Sequence, residues 1–194
     1  MMTSRFADLH VLGRLDLADI GSFVAGANHR SLADLVVGMA AFHRLGVQPS
    51  ILFKKSFLPG PLAKIARKAG VIVVEGRGAT ETAAKALQSG ASIMVMIEGG
   101  LYYNPNEPAE LGPVKAGIAR IARSAERPMV PISVDGTEFV WPKGRWPRWK
   151  SLIDRPVITV RVGDPTMVEG PDDEQEAVRL GEVISAQLAL PAPS

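Results

Sequence analysis

The sequence predicts an α/β fold: a single layered domain whose mostly parallel, mixed sheet of about seven strands is flanked by helices. Three observations predict it. Short apolar runs rich in β-branched residues alternate with longer stretches of helical pattern along the chain, as expected when helices cover a parallel sheet. Gly46, Gly70 and Gly90 each follow a helical stretch, where a left-handed C-cap is wanted. The chain has 194 residues, 46% hydrophobic and 22% charged, which suits one domain of ordinary core rather than a disordered chain.

The elements follow in order. Residues 9–12 and 22–27 are short apolar runs and read as strands. Residues 32–45 are too long for a strand and close at Gly46, so they read as a helix. Residues 50–53 form the third strand. A helix is predicted over 61–69, closed by Gly70, and it leads directly into the Val-Ile-Val-Val strand at 71–74. The helix at 81–89 opens on Glu81 and closes at Gly90; an acid at a helix start favours the helix dipole. The strand at 93–97 is Ile-Met-Val-Met-Ile. A helix over 114–125, strands over 129–134 and 157–162, and a final helix over 172–188 complete the pattern. One domain spanning 1–194 is expected, with its core at about 8–165, no internal repeat, no long linker and a frayed Pro-Ala-Pro-Ser end.

Composition excludes several functions. There is no cysteine, which removes disulfides, thiolate metal sites and cysteine nucleophiles and fits a cytoplasmic protein. Three histidines, at positions 10, 29 and 43, do not make a histidine-rich metal site, so neither metal nor resident cofactor is expected. No run approaches the roughly 20 apolar residues that span a bilayer. Asp8, Asp16 and Asp19 interrupt any signal-like run. Net charge is only +2, but residues 141–150 hold four cations, three tryptophans and no acid. Trp141, Arg145, Trp146, Arg148, Trp149 and Lys150 suit a peripheral contact with an anionic membrane face. A locally packed surface loop is the competing reading. Nucleic-acid binding is not expected.

In α/β sheets, sites form where strands end and helices begin. Three segments lie at such exits. The first is Asn28-His29-Arg30-Ser31-Leu32-Ala33-Asp34. Five residues apart on one helix, His29 and Asp34 would diverge by about 140°. They meet if His29 lies in the loop and Asp34 in the first helical turn, where the carboxylate would fix the imidazole tautomer and make His29 a positioned base. Ser31 and Asp34 also have the spacing of a capping box. The second segment is Glu98-Gly99-Gly100, where glycines permit close backbone approach and offer free N–H groups. The third is Glu75-Gly76-Arg77-Gly78, where Arg77 could clamp a phosphate. A dinucleotide loop is disfavoured there, because Glu81 stands where its third glycine belongs. Lys54 and Lys55 are read as solvated loop cations.

Taken in order, these pieces resemble the glycerolipid acyltransferase family, which includes the 1-acylglycerol-3-phosphate O-acyltransferases. Asn28, His29 and Asp34 match its N-H-x-x-x-x-D block. Val73-Val-Glu-Gly-Arg77 matches its second block, and Glu98-Gly99 keeps part of F-P-E-G-T-R. Residues 110–120 resemble the helix entry that follows, and Val130-Pro131-Ile132 resembles V-P-V. The resemblance implies acyl transfer from acyl-CoA or acyl carrier protein to a hydroxyl of a lysophospholipid. It casts His29 as general base and Asp34 as its orienting partner. Asn28, Arg77, Glu98, Gly99 and Gly100 would lie around the substrate, with Gly99 and Gly100 N–H groups at the oxyanion. Gly100 and Leu101 replace the motif's Thr and Arg, so a non-phosphorylated alcohol acceptor and a non-catalytic lipid- or acyl-CoA-binding relative stay open.

Overall fold

The computed structural model describes residues 7–54, 71–74, 78–142, 146, 148 and 154–193. The helix predicted over 61–69, Gly70, Lys55, Glu75–Arg77 and most of the basic tryptophan segment lie outside the described residues.

The seven strands are β1 (Asp8–Gly13), β2 (Val24–Ala27), β3 (Ser50–Lys54), β4 (Val71–Val74), β5 (Ile93–Met96), β6 (Met129–Asp135) and β7 (Val157–Val162). The four described α-helices are α1 (Asp34–Arg44), α2 (Ala79–Gln88), α3 (Gly117–Ala125) and α4 (Asp173–Leu188). One sheet runs β1-β7-β6-β2-β5-β3-β4. Every pairing is parallel except β6 with β7. The single antiparallel pair makes the sheet mixed, as expected.

β2 lies at the centre, with Ala27 in register with Met96 on one side and Ile132 on the other. All four of its residues are buried. A central parallel strand is covered on both faces, so its sequence is apolar throughout rather than alternating. On one face α1 packs Val37, Ala41 and Phe42 against Phe23, Ala25, Ile132 and Val160. On the other face α2, α3 and α4 bring Leu87, Ile118, Ile121, Leu180 and Ile184 onto Val24, Ile93 and Met129. A Cβ on Gly26 would lie 2.6 Å from the side chains of both Ile118 and Leu180. That absent side chain is what lets α3 and α4 sit close to the central strand.

Most element ends lie within two residues of the sequence pattern, and two of the differences have a visible physical reason. The helix predicted from residue 114 begins at Gly117, because the Lys115 N–H donates to Ile97 O (2.8 Å) and prolongs the β5 edge instead. The strand predicted from Ser22 begins at Val24, with the Ser22 hydroxyl accepting from Arg127 Nε at 2.8 Å. Short 3-10 turns at Leu17–Ile20 and Thr137–Phe139 carry no helical period and were not predicted. Asp172 caps α4, accepting from the Glu174 and Gln175 N–H groups. Among the described residues no helix is long and apolar enough to cross a membrane.

Candidate active site

The exits of β2, β5 and β6 converge at one edge of the sheet, as parallel neighbours must. Asn28 follows β2 directly. Its Nδ2 donates to Val134 O (2.8 Å) and its Oδ1 accepts from Val134 N (2.7 Å), tying the segment to β6. Asn28 is fully buried. With both polar atoms bonded to Val134, the Asn28 side chain fixes where His29 begins.

His29 is held at three points. Its N–H donates to Glu98 Oε2 (2.6 Å), its carbonyl accepts from Tyr102 N (2.7 Å), and its Nδ1 faces Asp34 Oδ2 at 2.9 Å. The side chain is 20% exposed, and Nε2 has no partner among the described residues. His29 lies in the loop and Asp34 is the first residue of α1, so the five-residue spacing closes as the helical geometry requires.

Asp34 is completely buried. Besides His29, its Oδ2 accepts from the N–H groups of Arg30 (2.7 Å) and Ser31 (2.8 Å). Its Oδ1 accepts from the Thr137 hydroxyl. Four donors around one carboxylate compensate its burial and fix its position. Half of the anticipated capping box is present: the Asp34 carboxylate takes the Ser31 N–H. The Ser31 hydroxyl accepts instead from Ala33 N (2.9 Å) and donates to Trp141 O (2.7 Å).

Glu98 is also taken up by backbone. Its Oε2 holds His29 and its Oε1 accepts from Gly112 N (2.8 Å), clasping the histidine loop to the 101–112 loop. Burial raises its pKa above the usual glutamate value even against those two N–H bonds. Gly99 has φ +69°, a left-handed conformation that favours glycine. Its N–H donates to Met96 O (3.1 Å), closing a turn at the exit of β5. Gly100 is exposed, and its N–H has no partner among the described residues. Arg77 lies outside the described residues.

The motifs overlooked Arg30 and the Asp135-Gly136-Thr137-Glu138 segment. The Arg30 guanidinium is buried. Nη1 pairs with Asp135 Oδ1 and with Glu138 Oε1 (3.3 Å), and Nη2 donates to Pro108 O. The guanidinium carbon lies 5.4 Å from the centre of the Tyr103 ring, a cation–π distance. Burial pushes the Glu138 carboxyl above its usual range, with the Arg30 charge opposing. The signal for this segment was present in the sequence: it stands at the exit of β6, as Glu98 stands at the exit of β5. Between α1 and the sheet an apolar crevice of about 10 Å³, lined by Ala27, Phe42, Met94, Met96 and Ile132, reaches Asp34. Among the described residues, no group of three or more His, Asp or Glu could hold a metal ion.

A histidine at a parallel-sheet edge, backed by a buried aspartate, has the geometry in which an imidazole can move a proton. The chain belongs to the Acyltransferase family, whose model matches residues 9–135, from β1 through the Arg30-bound Asp135. It is also similar to the solved structure of the 1-acyl-sn-glycerophosphate (LPA) acyltransferase PlsC from Thermotoga maritima. The TM-score is 0.73 at 21% identity, covering 98% of this chain and 76% of that one, so the likeness is one of fold. No curated protein matches the chain.

Proposed function

We propose that the protein transfers a fatty acyl group from acyl-CoA or acyl carrier protein to the hydroxyl of a lysophospholipid such as 1-acylglycerol 3-phosphate, with His29 as general base. The observation that carries this reading is the 2.9 Å His29–Asp34 contact. It commits Nδ1 and leaves Nε2 for the acceptor hydroxyl. Nε2 removes the hydroxyl proton as the oxygen attacks the thioester carbonyl. The tetrahedral intermediate then collapses, the C–S bond breaks, and the imidazolium returns its proton to the departing thiolate. Asp34 stabilises the imidazolium meanwhile. The Gly100 N–H is the available donor for the oxyanion, a role worth about 3–4 kcal/mol when well placed.

A specific observation favours a second acceptor class. The charge of Arg30 is already matched by Asp135 and Glu138, and Gly100-Leu101 supplies no cation. A non-phosphorylated alcohol therefore meets less repulsion here than a phosphate does. Trp146 is 86% exposed, which supports peripheral contact with an anionic membrane through this tryptophan and Arg148.

The test supplies acyl-CoA with a panel of phosphorylated and neutral acceptors and follows thiol release. His29→Ala should lower turnover roughly 10²–10⁴-fold. A folded His29→Ala protein turning over normally would overturn the general-base role. Saturable acyl-CoA binding without thiol release, for every acceptor, would identify a binding protein instead. Co-sedimentation with vesicles rich in anionic lipid, lost in Trp146→Ala, tests the membrane contact.

A further inference from the structure

We propose that Arg30 is a positioning residue for acyl transfer, setting the charge around the His29–Asp34 pair and holding the loop that carries Pro108 against it. The proposal rests on the acyl-transfer reading of His29.

Arg30 joins the dyad in two separate ways. Its backbone N–H donates to Asp34 Oδ2, a bond that survives any change of side chain. Its guanidinium reaches Asp135 and Glu138, which flank Gly136 and Thr137, and Thr137 in turn holds Asp34 Oδ1. A closed circuit results, running from His29 to Asp34, Thr137, Glu138 and Arg30, and back along the chain to His29. Glu138 feels Asp34, Asp135 and Arg30 together, and Glu98 feels both His29 and Arg30.

The charged and titratable groups around His29 can be named for each neighbouring element. The start of α1 supplies Asp34. The 98–115 segment supplies Glu98, Tyr102, Tyr103 and, beside Gly99, Lys115. The segment after β6 supplies Asp135 and Glu138. Among the described residues these carboxylates outnumber the cations, and Arg30 is the buried one. Without its charge, two carboxylates stand uncompensated near the dyad and favour imidazolium, the form that cannot act as base. Without its second arm, the Pro108 carbonyl loses its donor and the 101–112 loop loses a tie to the site.

The test compares wild type, Arg30→Gln, Arg30→Lys and Asp135→Asn by the pH profile of kcat/KM for thiol release and by NMR titration of the His29 ring. In Arg30→Gln the acid limb should move to higher pH, since a cation near the dyad is lost. Arg30→Lys keeps the charge and should keep the limb while losing turnover through the Pro108 tie. Asp135→Asn removes an anion and should move the limb to lower pH. It retains the guanidinium, so if Arg30→Gln does not fold, an unmoved limb in Asp135→Asn or a moved limb in Arg30→Lys overturns the proposal. Coincidence of the limb and of the ring titration in all folded variants overturns the proposal. The ring titration needs no turnover. Absence of thiol release in wild type would refute the acyl-transfer reading, while the ring titration still decides the role of Arg30.

Discussion

Asp34→Asn separates charge from geometry in this site. The wild-type carboxylate accepts three N–H bonds on Oδ2 and the Thr137 hydroxyl on Oδ1. An amide placed with its oxygen at the Oδ2 position keeps all three N–H donors. Its NH₂ group then meets the Thr137 hydroxyl, which can turn from donor to acceptor. The loop and the His29 tautomer are preserved, and only the charge is lost. A unit charge facing imidazolium across about 4 Å at an effective dielectric near 20 is worth about 4 kcal/mol. Removing it should lower kcat about 10³-fold. KM should change little, because Asp34 has no exposed surface to touch a substrate. The assay is thiol release from acyl-CoA at varied acceptor concentration, with unfolding curves to establish that the variant is folded. A folded variant within tenfold of wild type would refute the electrostatic role. A second substitution, Thr137→Val, removes a donor to the buried carboxylate; combined with Asp34→Asn it should lower thermal stability by less than the sum of the two single changes, because the bond lost to an amide is weaker than the one lost to a carboxylate.

Other expectations follow from the same geometry. Gly136 has φ +88°, and a Cβ there would lie 2.2 Å from Val157 O. Gly136→Ala should cost about 2–4 kcal/mol in denaturant unfolding, and a variant as stable as wild type would show that the turn has room. Asn28→Asp loses the donor to Val134 O and buries a charge. It should destabilise by about 3 kcal/mol or more, read as a lowered unfolding midpoint at neutral pH that partly recovers on acidification. The folded pKa of Glu98 is raised, so its contribution to stability is fully present below the ordinary value of 4.5 and is lost as pH rises through the raised value. The stability of wild type relative to Glu98→Gln should therefore fall from pH 4 toward neutrality, and a difference that grows with pH would contradict this sign.

Much of this was legible in the chain because it depends on local chemistry. Parallel strands buried on both faces must be apolar, so β2, β5 and β6 stood out as short apolar runs. His29 and Asp34 could be paired from spacing alone, since only a loop-to-first-turn placement lets them meet. Other features depended on contacts distant in sequence. Asn28 reads as a site residue in the motif, yet its partner is Val134, 106 positions away, and that pairing exists only because β2 and β6 are neighbours. The partners of Glu98, the N–H groups of His29 and Gly112, are likewise set by how the loops meet. Gly99 N–H is free in principle and bonded in fact.

Arg30 shows the division most clearly. In the sequence it is one of the unspecified positions between His29 and Asp34, and nothing local marks it. Its role depends on Asp135 and Glu138, more than a hundred residues later, and on the Pro108 carbonyl. The sequence by itself determined the layered α/β class, the edge where strands exit and the residues able to form a base. The tertiary structure alone decided which of those groups keep unpaired atoms and which are consumed in holding His29. The physical reason is that a buried polar group must find a partner, and strand order, invisible in local pattern, dictates which partners are in reach.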